Sequence, residues 1–164
     1  MANKDHEKEF LQAYDELSSA LFRYCFFKTR DRELAKDILQ DTFMKTWAYI
    51  QAGNKVKNLK AFLYRSANNL IIDWYRKQKM LSLDALTEEG FDPPDPFSHT
   101  EIAAELEQAM KVLSTLEQSD QDIIIWRYVD ELSVGEIAAI LSEKENTISV
   151  RLHRAIGRLR ELLQ

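Results

Sequence analysis

A short stretch of the chain, residues 55–79, concentrates the side-chain types that bind nucleic acid. Its basic residues are Lys55, Lys57, Lys60, Arg65, Arg76, Lys77 and Lys79. Its aromatic residues are Phe62, Tyr64, Trp74 and Tyr75. Basic side chains attract phosphates, aromatic rings stack on unpaired bases, and the amides of Asn68 and Asn69 can donate to and accept from base edges. The stretch therefore predicts a helix that holds single-stranded nucleic acid.

Apolar residues recur in this stretch at spacings of three and four, which indicates a helix with one apolar stripe. The stripe consists of Leu59, Leu63, Ala67, Leu70 and Trp74. Arg65, Asn68, Asn69 and Arg76 lie largely off it. An ordinary amphipathic helix with a solvated basic face would give the same pattern, so the helix alone leaves both interpretations open.

Composition excludes several classes of site. The formal net charge of the chain is −5, but an acidic total does not exclude DNA binding, because binding depends on where the charges lie. The single cysteine, Cys25, cannot form an internal disulfide and is most simply a small buried core residue. The three histidines are scattered and lie near no second thiol, so we expect neither a metal site nor a cofactor.

The sequence also indicates the fold class and the compartment. Only 4 glycines and 3 prolines interrupt 164 residues, and no run of β-branched residues alternates as a strand would, so we expect an all-α fold. No apolar run approaches membrane-spanning length, and the N-terminus is too charged for a signal peptide. We therefore expect a cytoplasmic protein without direct membrane insertion.

We expect two small helical domains. Residues 1–80 predict a three-helix bundle, with a first helix over 5–28 and a second over 31–50 that Asp31 caps. Gly53 and Asn54 should end the second helix. Residues 81–100 hold all three prolines and several acids, and predict an extended acidic linker. Residues 101–164 predict the second domain, in which Ser119 or Asp120 could cap an internal helix.

The second helix of the bundle predicts an exposed patch of acids and amides. Asp37, Gln40 and Asp41 fall mostly on the side opposite the apolar stripe of that helix. Such a patch is either a solvated face or a docking surface for a basic helical partner, and the pattern alone leaves both open.

The C-terminal domain predicts a helix-turn-helix. Ser133 and Glu136 form a capping-box pattern before a short helix, a polar turn follows over 142–145, and a longer helix runs over 146–163. Such a second helix enters the major groove with its N-terminal half. The side chains off its core stripe that could face DNA are Ser149, Val150, His153 and Arg154. Those that could reach phosphates are Arg151, Arg158 and Arg160. Many all-α proteins contain similar helix pairs.

Three motifs in chain order make the sequence resemble a bacterial RNA polymerase sigma factor, of the extracytoplasmic-function type of the sigma-70 family. Residues 37–43, DILQDTF, are similar to the core-binding motif of that family. Residues 63–69, LYRSANN, and 73–76, DWYR, are similar to its promoter −10 helix. Residues 136–138, 147–148, 154–155 and 159–160 resemble its −35 reading domain. The likeness covers nearly the whole chain.

The resemblance implies a role for each motif. Asp37, Gln40 and Asp41 would bind the clamp coiled coil of core RNA polymerase. Together with the basic and aromatic pattern, it implies that single-stranded −10 DNA is held by Lys55, Lys57, Asn58, Lys60, Tyr64, Arg65, Asn68, Asn69 and Arg76. The loop over 55–58 sits where the family captures a flipped base. Duplex −35 DNA would be read by Thr147, Ser149, Val150, His153 and Arg154. Anti-sigma proteins often hold members of this family inactive.

The helix-turn-helix departs from the pattern of the family in its turn. Ser142, Glu143 and Lys144 stand where the family has a glycine, an apolar residue and a serine cap, and Asn146 stands where it has a glycine. Phe62 likewise replaces the usual tryptophan of the −10 helix. Two acids near the groove should repel phosphate, so we expect the fold of this domain to be ordinary but its −35 affinity to be altered.

We weigh three functions. The first is an alternative sigma factor that opens promoter DNA by capturing unstacked bases, and that is not itself an enzyme and uses no ATP or metal. The second is a stand-alone helix-turn-helix regulator with a helical sensor domain, although no polar cluster suggests a ligand pocket. The third is a nucleic-acid enzyme, which the lack of a P-loop, an HExxH motif and clustered carboxylates disfavours.

Overall fold

The computed structural model describes residues 2–84 and 101–164, and places side chains over 4–82 and 107–164. The chain divides into two compact units, with the boundary between Pro93 and Pro94. Every regular element in the described ranges is helical, which confirms the all-α fold class. The predicted linker lies outside the described residues from 85 to 100. Its first four residues, 81–84, are helical rather than extended.

The N-terminal unit is a bundle of three helices, each of which packs on the other two. They are α1 (Ala2–Thr29), α2 (Arg32–Gln51) and α3 (Leu59–Asp84). The bundle buries Leu21, Tyr24, Cys25, Ala35, Ile38, Phe43, Leu63, Tyr64, Ala67 and Ile71. The prediction that Cys25 is a core residue is therefore confirmed.

Both ends of α2 follow the predicted chemistry. The Asp31 carboxylate caps the start of α2 and accepts a hydrogen bond from the Leu34 amide at 3.1 Å. Arg30, just before it, adopts a left-handed backbone with a φ of 56°. At the other end the helix stops at Ala52, and Gly53 has a φ of 89°, which glycine adopts at no steric cost. A glycine therefore stands where the chain must turn into the loop before α3.

Two threonines of α2 lie in the core, and the hydroxyl of each makes a hydrogen bond. The Thr42 hydroxyl donates to the Ile38 carbonyl oxygen, and the Thr46 hydroxyl donates to the Thr42 carbonyl oxygen, each at 2.7 Å. Because both hydroxyls are satisfied within their own helix, the methyl groups can pack against α1 and α3 as valine would. This leaves the opposite side of α2 to its acids and amides.

The C-terminal unit holds α4 (Glu101–Ser114), α5 (Gln118–Ile124), α6 (Val134–Leu141) and α7 (Glu145–Leu163). A single π-helical turn, Ile125–Val129, continues α5. The core of this unit consists of Leu116, Ile123, Ile124, Ile125, Trp126, Leu132, Ile137, Ile140, Ile148, Leu152 and Ala155. The short α6, a turn and the longer α7 form the predicted helix-turn-helix.

The predicted cap of α5 was wrong. Its N-cap is Glu117, whose side chain makes no capping hydrogen bond. Ser119 and Asp120 instead lie within the first turn. The Asp120 carboxylate forms ion pairs with arginines of α7, and these compete with capping for the same oxygens. The sequence could not reveal this pairing, because the partners lie more than thirty residues away.

The predicted capping box at α6 is confirmed. The Ser133 hydroxyl accepts from the Glu136 amide at 3.1 Å, and the Ser133 amide donates to the Glu136 carboxylate at 2.8 Å.

No helix in the described ranges is both long enough and apolar enough to cross a bilayer.

We expect Ser133→Ala to lower the free energy of unfolding by about 1 kcal/mol, because it leaves a helix-start amide without its acceptor. Urea denaturation followed by circular dichroism measures the change. Ser149→Ala is the matched control, since Ser149 is exposed within α7 and caps nothing. Equal stability of the two variants would mean that the box contributes nothing to the fold.

Candidate nucleic-acid interface

The outer side of α3 carries a line of polar side chains. Arg65, Asn69 and Arg76 are all exposed and, at 3.6 residues per turn, lie within about 40° of one another around the helix. They span about 17 Å along its axis, at 1.5 Å per residue. Asn68, beside them, is half-buried, and its side-chain oxygen accepts from the Tyr24 hydroxyl at 3.1 Å. The structure thus brings a basic and amide-bearing face together, with Asn68 partly committed to the bundle.

Tyr64 is the predicted site residue that the structure removes from this face. Its side chain is 1% exposed, and its ring packs 5.8 Å from the ring of Tyr24 between α1 and α3. Tyr64 lies beside Leu63 and one turn before Ala67, so it belongs to the buried stripe rather than to the basic face. In this position it cannot stack on a nucleobase.

Two other aromatic residues present exposed rings on α3 or against it. Tyr75 is 43% exposed, and its hydroxyl donates to the Lys28 carbonyl oxygen. Tyr49 on α2 is equally exposed and stacks on Phe62 with ring centroids 5.1 Å apart. Sequence reasoning missed Tyr49, because only the packing of α2 on α3 places it next to the basic helix. The exposed rings come from both helices.

The loop between α2 and α3 exposes Lys55, Lys57 and Asn58, whereas Lys60 in the first turn of α3 is half-buried. The Asn58 side-chain oxygen accepts from the Ala61 amide at 3.0 Å, so this residue caps α3. A cavity of about 270 Å³ opens beside the loop. His6 and Glu9 of α1 line it together with Lys55 and Lys57 of the loop. That α1 borders this loop was not predicted, because it depends on how the helices pack.

The predicted acidic patch on α2 is fully exposed. Asp37, Gln40 and Asp41 lie on one side of the helix, together with Met44, which is 60% exposed. A groove of about 610 Å³ runs beside them between α1 and α2. Apolar side chains form most of this groove: Phe10, Leu11, Tyr14, Phe43, Met44 and Trp47. The patch thus combines negative charge with an open apolar surface, which the charge pattern alone did not predict.

The outer side of α7 carries the residues predicted to read duplex DNA. Thr147, Ser149, Val150, His153 and Arg154 are all exposed, and they lie opposite the buried Ile148, Leu152 and Ala155. The structure therefore presents these five side chains on one continuous surface of the second helix of the helix-turn-helix.

Two of the arginines predicted to reach phosphates are instead paired within the unit. Arg151 lies 3.1 Å from the Glu143 carboxylate and 3.8 Å from that of Asp120. Arg158 lies 3.4 Å from Asp120. The other acid of the turn, Glu145, places its carboxylate so close to Gly135 that an added Cβ there would lie 2.9 Å from it. Both turn acids therefore contact their own unit, and Arg160 stays exposed.

Within the part of the chain whose side chains are described, no three histidine, cysteine, aspartate or glutamate residues are arranged to hold a metal ion. Several of the described acids and bases instead form ion pairs, among them Asp120 and Glu143 with arginines of α7.

Comparison with protein families matches both units. Residues 13–80 match the model described as Sigma-70 region 2, and residues 106–159 match that described as Sigma-70, region 4. The first match lies within the three-helix bundle and begins inside α1, and the second includes α6 and most of α7. A sigma region thus stands where a stand-alone regulator would carry its sensor domain, so that alternative is not favoured.

Individual relatives cover nearly the whole chain. The RNA polymerase sigma factor YlaC of Bacillus subtilis is 28% identical over 92% of this chain and 89% of its own length. The ECF RNA polymerase sigma factor SigL of Mycobacterium tuberculosis is 29% identical over 92% and 86%. The solved sigma factor RpoE of Bartonella quintana, in complex with the anti-sigma factor NepR, is 28% identical and superposes with a TM-score of 0.70 over 95% of this chain and 97% of that one.

The same assignment follows from three findings. Both units match sigma-70 family models, sigma factors are similar over nearly the whole chain, and a solved sigma factor shares the fold. The chain belongs to the sigma-70 family of RNA polymerase sigma factors, as a member of the extracytoplasmic-function type that recognises promoters and initiates transcription.

Proposed function

We propose that three exposed surfaces divide the work of initiation. The polar line of α3 and the loop before it hold the −10 region as a single strand, the outer side of α7 reads the −35 duplex, and the acidic patch of α2 docks on core RNA polymerase. The observation that carries the proposal is the alignment of Arg65, Asn69 and Arg76 on one exposed line of α3. This line places two positive charges and one amide where a nucleic-acid strand can contact them together.

The chemistry of the α3 surface suits a strand whose bases are unstacked. Arg65 and Arg76 supply charge for the phosphates, and the Asn69 amide can pair with a base edge that is accessible only after the duplex opens. Exposed rings such as Tyr75 can accept a stacked base, which is worth about 1–3 kcal/mol. Opening would then be driven by capture of the melted strand.

The cavity beside the loop supports capture of one flipped base. Its volume of about 270 Å³ lies just below the usual range for small-molecule pockets, as expected for a single base. Lys55 and Lys57 at its wall can neutralise the flanking phosphates, while His6 and Glu9 offer polar groups to the base itself. Flipping costs a few kcal/mol of stacking, and a preformed pocket offsets that cost.

The surface of α7 suits major-groove reading. Arg154 and His153 can donate to acceptors on base edges, Val150 can contact a thymine methyl group, and Ser149 suits either kind of partner. Thr147, in the first turn of α7, is placed to contact the backbone near the helix N-terminus. The five together are enough to specify a short element.

The patch on α2 suits a basic helical partner such as the clamp coiled coil. Asp37 and Asp41 attract basic side chains, Gln40 can donate and accept, and the neighbouring groove with Met44 can take an apolar residue of the same partner. Charge then steers the approach, while apolar contact prolongs the complex.

In this proposal the chain performs no covalent chemistry, because the polymerase supplies catalysis and the sigma factor supplies recognition. It acts in the cytoplasm, where polymerase and promoter meet. We also propose an anti-sigma partner for this chain. The similarity to RpoE, which was solved in complex with the anti-sigma factor NepR, supports this assignment.

Run-off transcription with purified core RNA polymerase, the full chain and a library of randomised duplexes tests the proposal. We expect active templates to share two sequence blocks at a fixed separation upstream of the start. Arg154→Ala should relax the preference at the distal block alone, because a lost base contact costs about 1–3 kcal/mol at its own position.

The matched control is Asn69→Ala, which should affect the proximal block and leave the distal one unchanged. A single palindromic block bound without polymerase would contradict the proposal and support a dimeric regulator instead. Loss of both block preferences in either single variant would contradict the division of labour between the two units.

A further inference from the structure

Asp120 lies where α5 meets α7, and both of its carboxylate oxygens face arginines. Oδ1 lies 3.8 Å from Arg151 and Oδ2 lies 3.4 Å from Arg158. The Asp120 side chain is only 15% exposed, and that of Arg151 is 23% exposed. One partly buried acid on α5 therefore engages two bases that lie two turns apart on α7.

Glu143 completes the arrangement from the turn of the helix-turn-helix. Its carboxylate lies 3.1 Å from Nη1 of Arg151, whereas Asp120 lies nearest the other terminal nitrogen, Nη2. Arg151 is thus shared by an acid of α5 and an acid of the turn. The guanidinium of Arg151 is therefore engaged within its own unit.

α7 has four arginines, Arg151, Arg154, Arg158 and Arg160. Two of them make these ion pairs, while Arg154 lies among the DNA-facing residues. Sequence-independent affinity for DNA rises with each phosphate that a protein neutralises, whereas base contacts give the specificity. Pairing of two arginines therefore lowers affinity for every sequence and leaves base reading in place.

We propose that Asp120 is a positioning residue for promoter recognition, which holds Arg151 and Arg158 within the C-terminal unit and away from DNA phosphates. The proposal rests on the role of α7 proposed above. In this arrangement acids of the C-terminal unit neutralise part of the positive charge of the four arginines on α7. This agrees with the formal net charge of −5 and with the acids in the turn. Promoters then compete with bulk DNA through base contacts rather than through charge.

The test is the affinity of the full chain for a duplex of randomised sequence over a series of potassium chloride concentrations. We expect Asp120→Asn to steepen the dependence of log affinity on log salt by about one unit, because a released Arg158 neutralises one more phosphate. Over a fourfold rise in salt the variant would lose about 3.5 times more affinity than the unaltered chain.

Glu117→Gln is the matched control, because it removes the same charge three residues earlier from an exposed acid at the start of α5. We expect its salt dependence to match that of the unaltered chain. If Asp120→Asn matches Glu117→Gln, or lowers the melting temperature without steepening the salt dependence, the proposal is overturned and Asp120 only stabilises the unit.

Arg158→Gln tests the same proposal while Asp120 itself is kept and remains paired with Arg151. We expect it to leave the salt dependence unchanged in the native background and to cancel the gain in the Asp120→Asn background. A shallower dependence in the native background would overturn the proposal even if Asp120→Asn failed to fold.

Arg154→Gln separates the two levels of inference. If it weakens binding while Asp120→Asn matches its control, only the role of Asp120 fails. If Arg154→Gln has no effect on DNA binding or on run-off transcription, the proposed role of α7 fails as well.

Discussion

Reversing two charges on α2, with Asp37→Lys and Asp41→Lys in one chain, is expected to weaken binding to core RNA polymerase by about 100-fold or more. Both carboxylates are exposed on one side of the helix, so the substitution should leave the bundle intact. Like charges placed against each other across an interface cost several kcal/mol, and each 1.4 kcal/mol is a factor of ten in affinity. The effect should be larger than loss of the attraction alone.

Binding of the labelled full chain to purified core polymerase measures this effect by fluorescence anisotropy. Asp15→Lys with Glu16→Lys is the matched control, because it changes the net charge equally on exposed positions of α1. We expect the control to bind within a few-fold of the unaltered chain. Similar losses in both double variants would show that overall charge, and not the patch of Asp37, Gln40 and Asp41, governs docking.

The structure adds an apolar component to this docking surface that changes how its salt dependence should behave. Charge pairs at a solvent-exposed surface weaken as salt rises, whereas burial of Met44 and the groove residues does not. Core binding should therefore fall with salt to a finite affinity rather than vanish. The charge-reversed variant should also lose the affinity that remains at high salt. Repulsion between like charges opposes the close approach that apolar contact needs.

The features that were predictable from the sequence are those fixed within a few residues of one another. The Asp31 cap, the capping box of Ser133 and Glu136, and the glycine after α2 all depend on local hydrogen bonds or backbone angles. Helical periodicity likewise gave the exposed side of α7. Local chemistry of this kind is the same in the isolated segment and in the folded chain.

The features that were missed depend on which helices meet. Tyr64 looks like a stacking residue in a basic helix, but it lies on the side of α3 that packs against Tyr24. Asp120 looks like a cap, but α7 brings two arginines to it. Tyr49 and His6 reach the candidate interface only because α2 and α1 border α3 and its loop. Neither periodicity nor motif carries that information.

Removing two of the three side chains of the α3 line, with Arg65→Ala and Asn69→Ala in one chain, is expected to lower initiation from fully duplex promoters by about 100-fold or more. A hydrogen bond to a charged group contributes about 1.5–3 kcal/mol, and a base contact through an amide about 1–3 kcal/mol. Together they amount to about 2.5–6 kcal/mol, and most of this range lies above the roughly 2.7 kcal/mol that a 100-fold change requires. The same variant should initiate nearly normally on a template whose −10 region is already mismatched, because the unstacking cost has been removed.

Run-off transcription on matched duplex and mismatched templates measures the two rates, and their ratio separates strand opening from every other step. Lys77→Ala with Gln78→Ala is the control, since it also deletes one base and one amide from exposed positions of α3, but off the line of Arg65, Asn69 and Arg76. A defect that persists on the mismatched template would place the lost contacts in polymerase binding or folding. A defect of equal size in the control would mean that overall charge on α3, and not the aligned pair, captures the strand. Strand capture by this line predicts that only the Arg65 and Asn69 variant is defective on the duplex template. It also predicts that the mismatched template restores initiation by that variant.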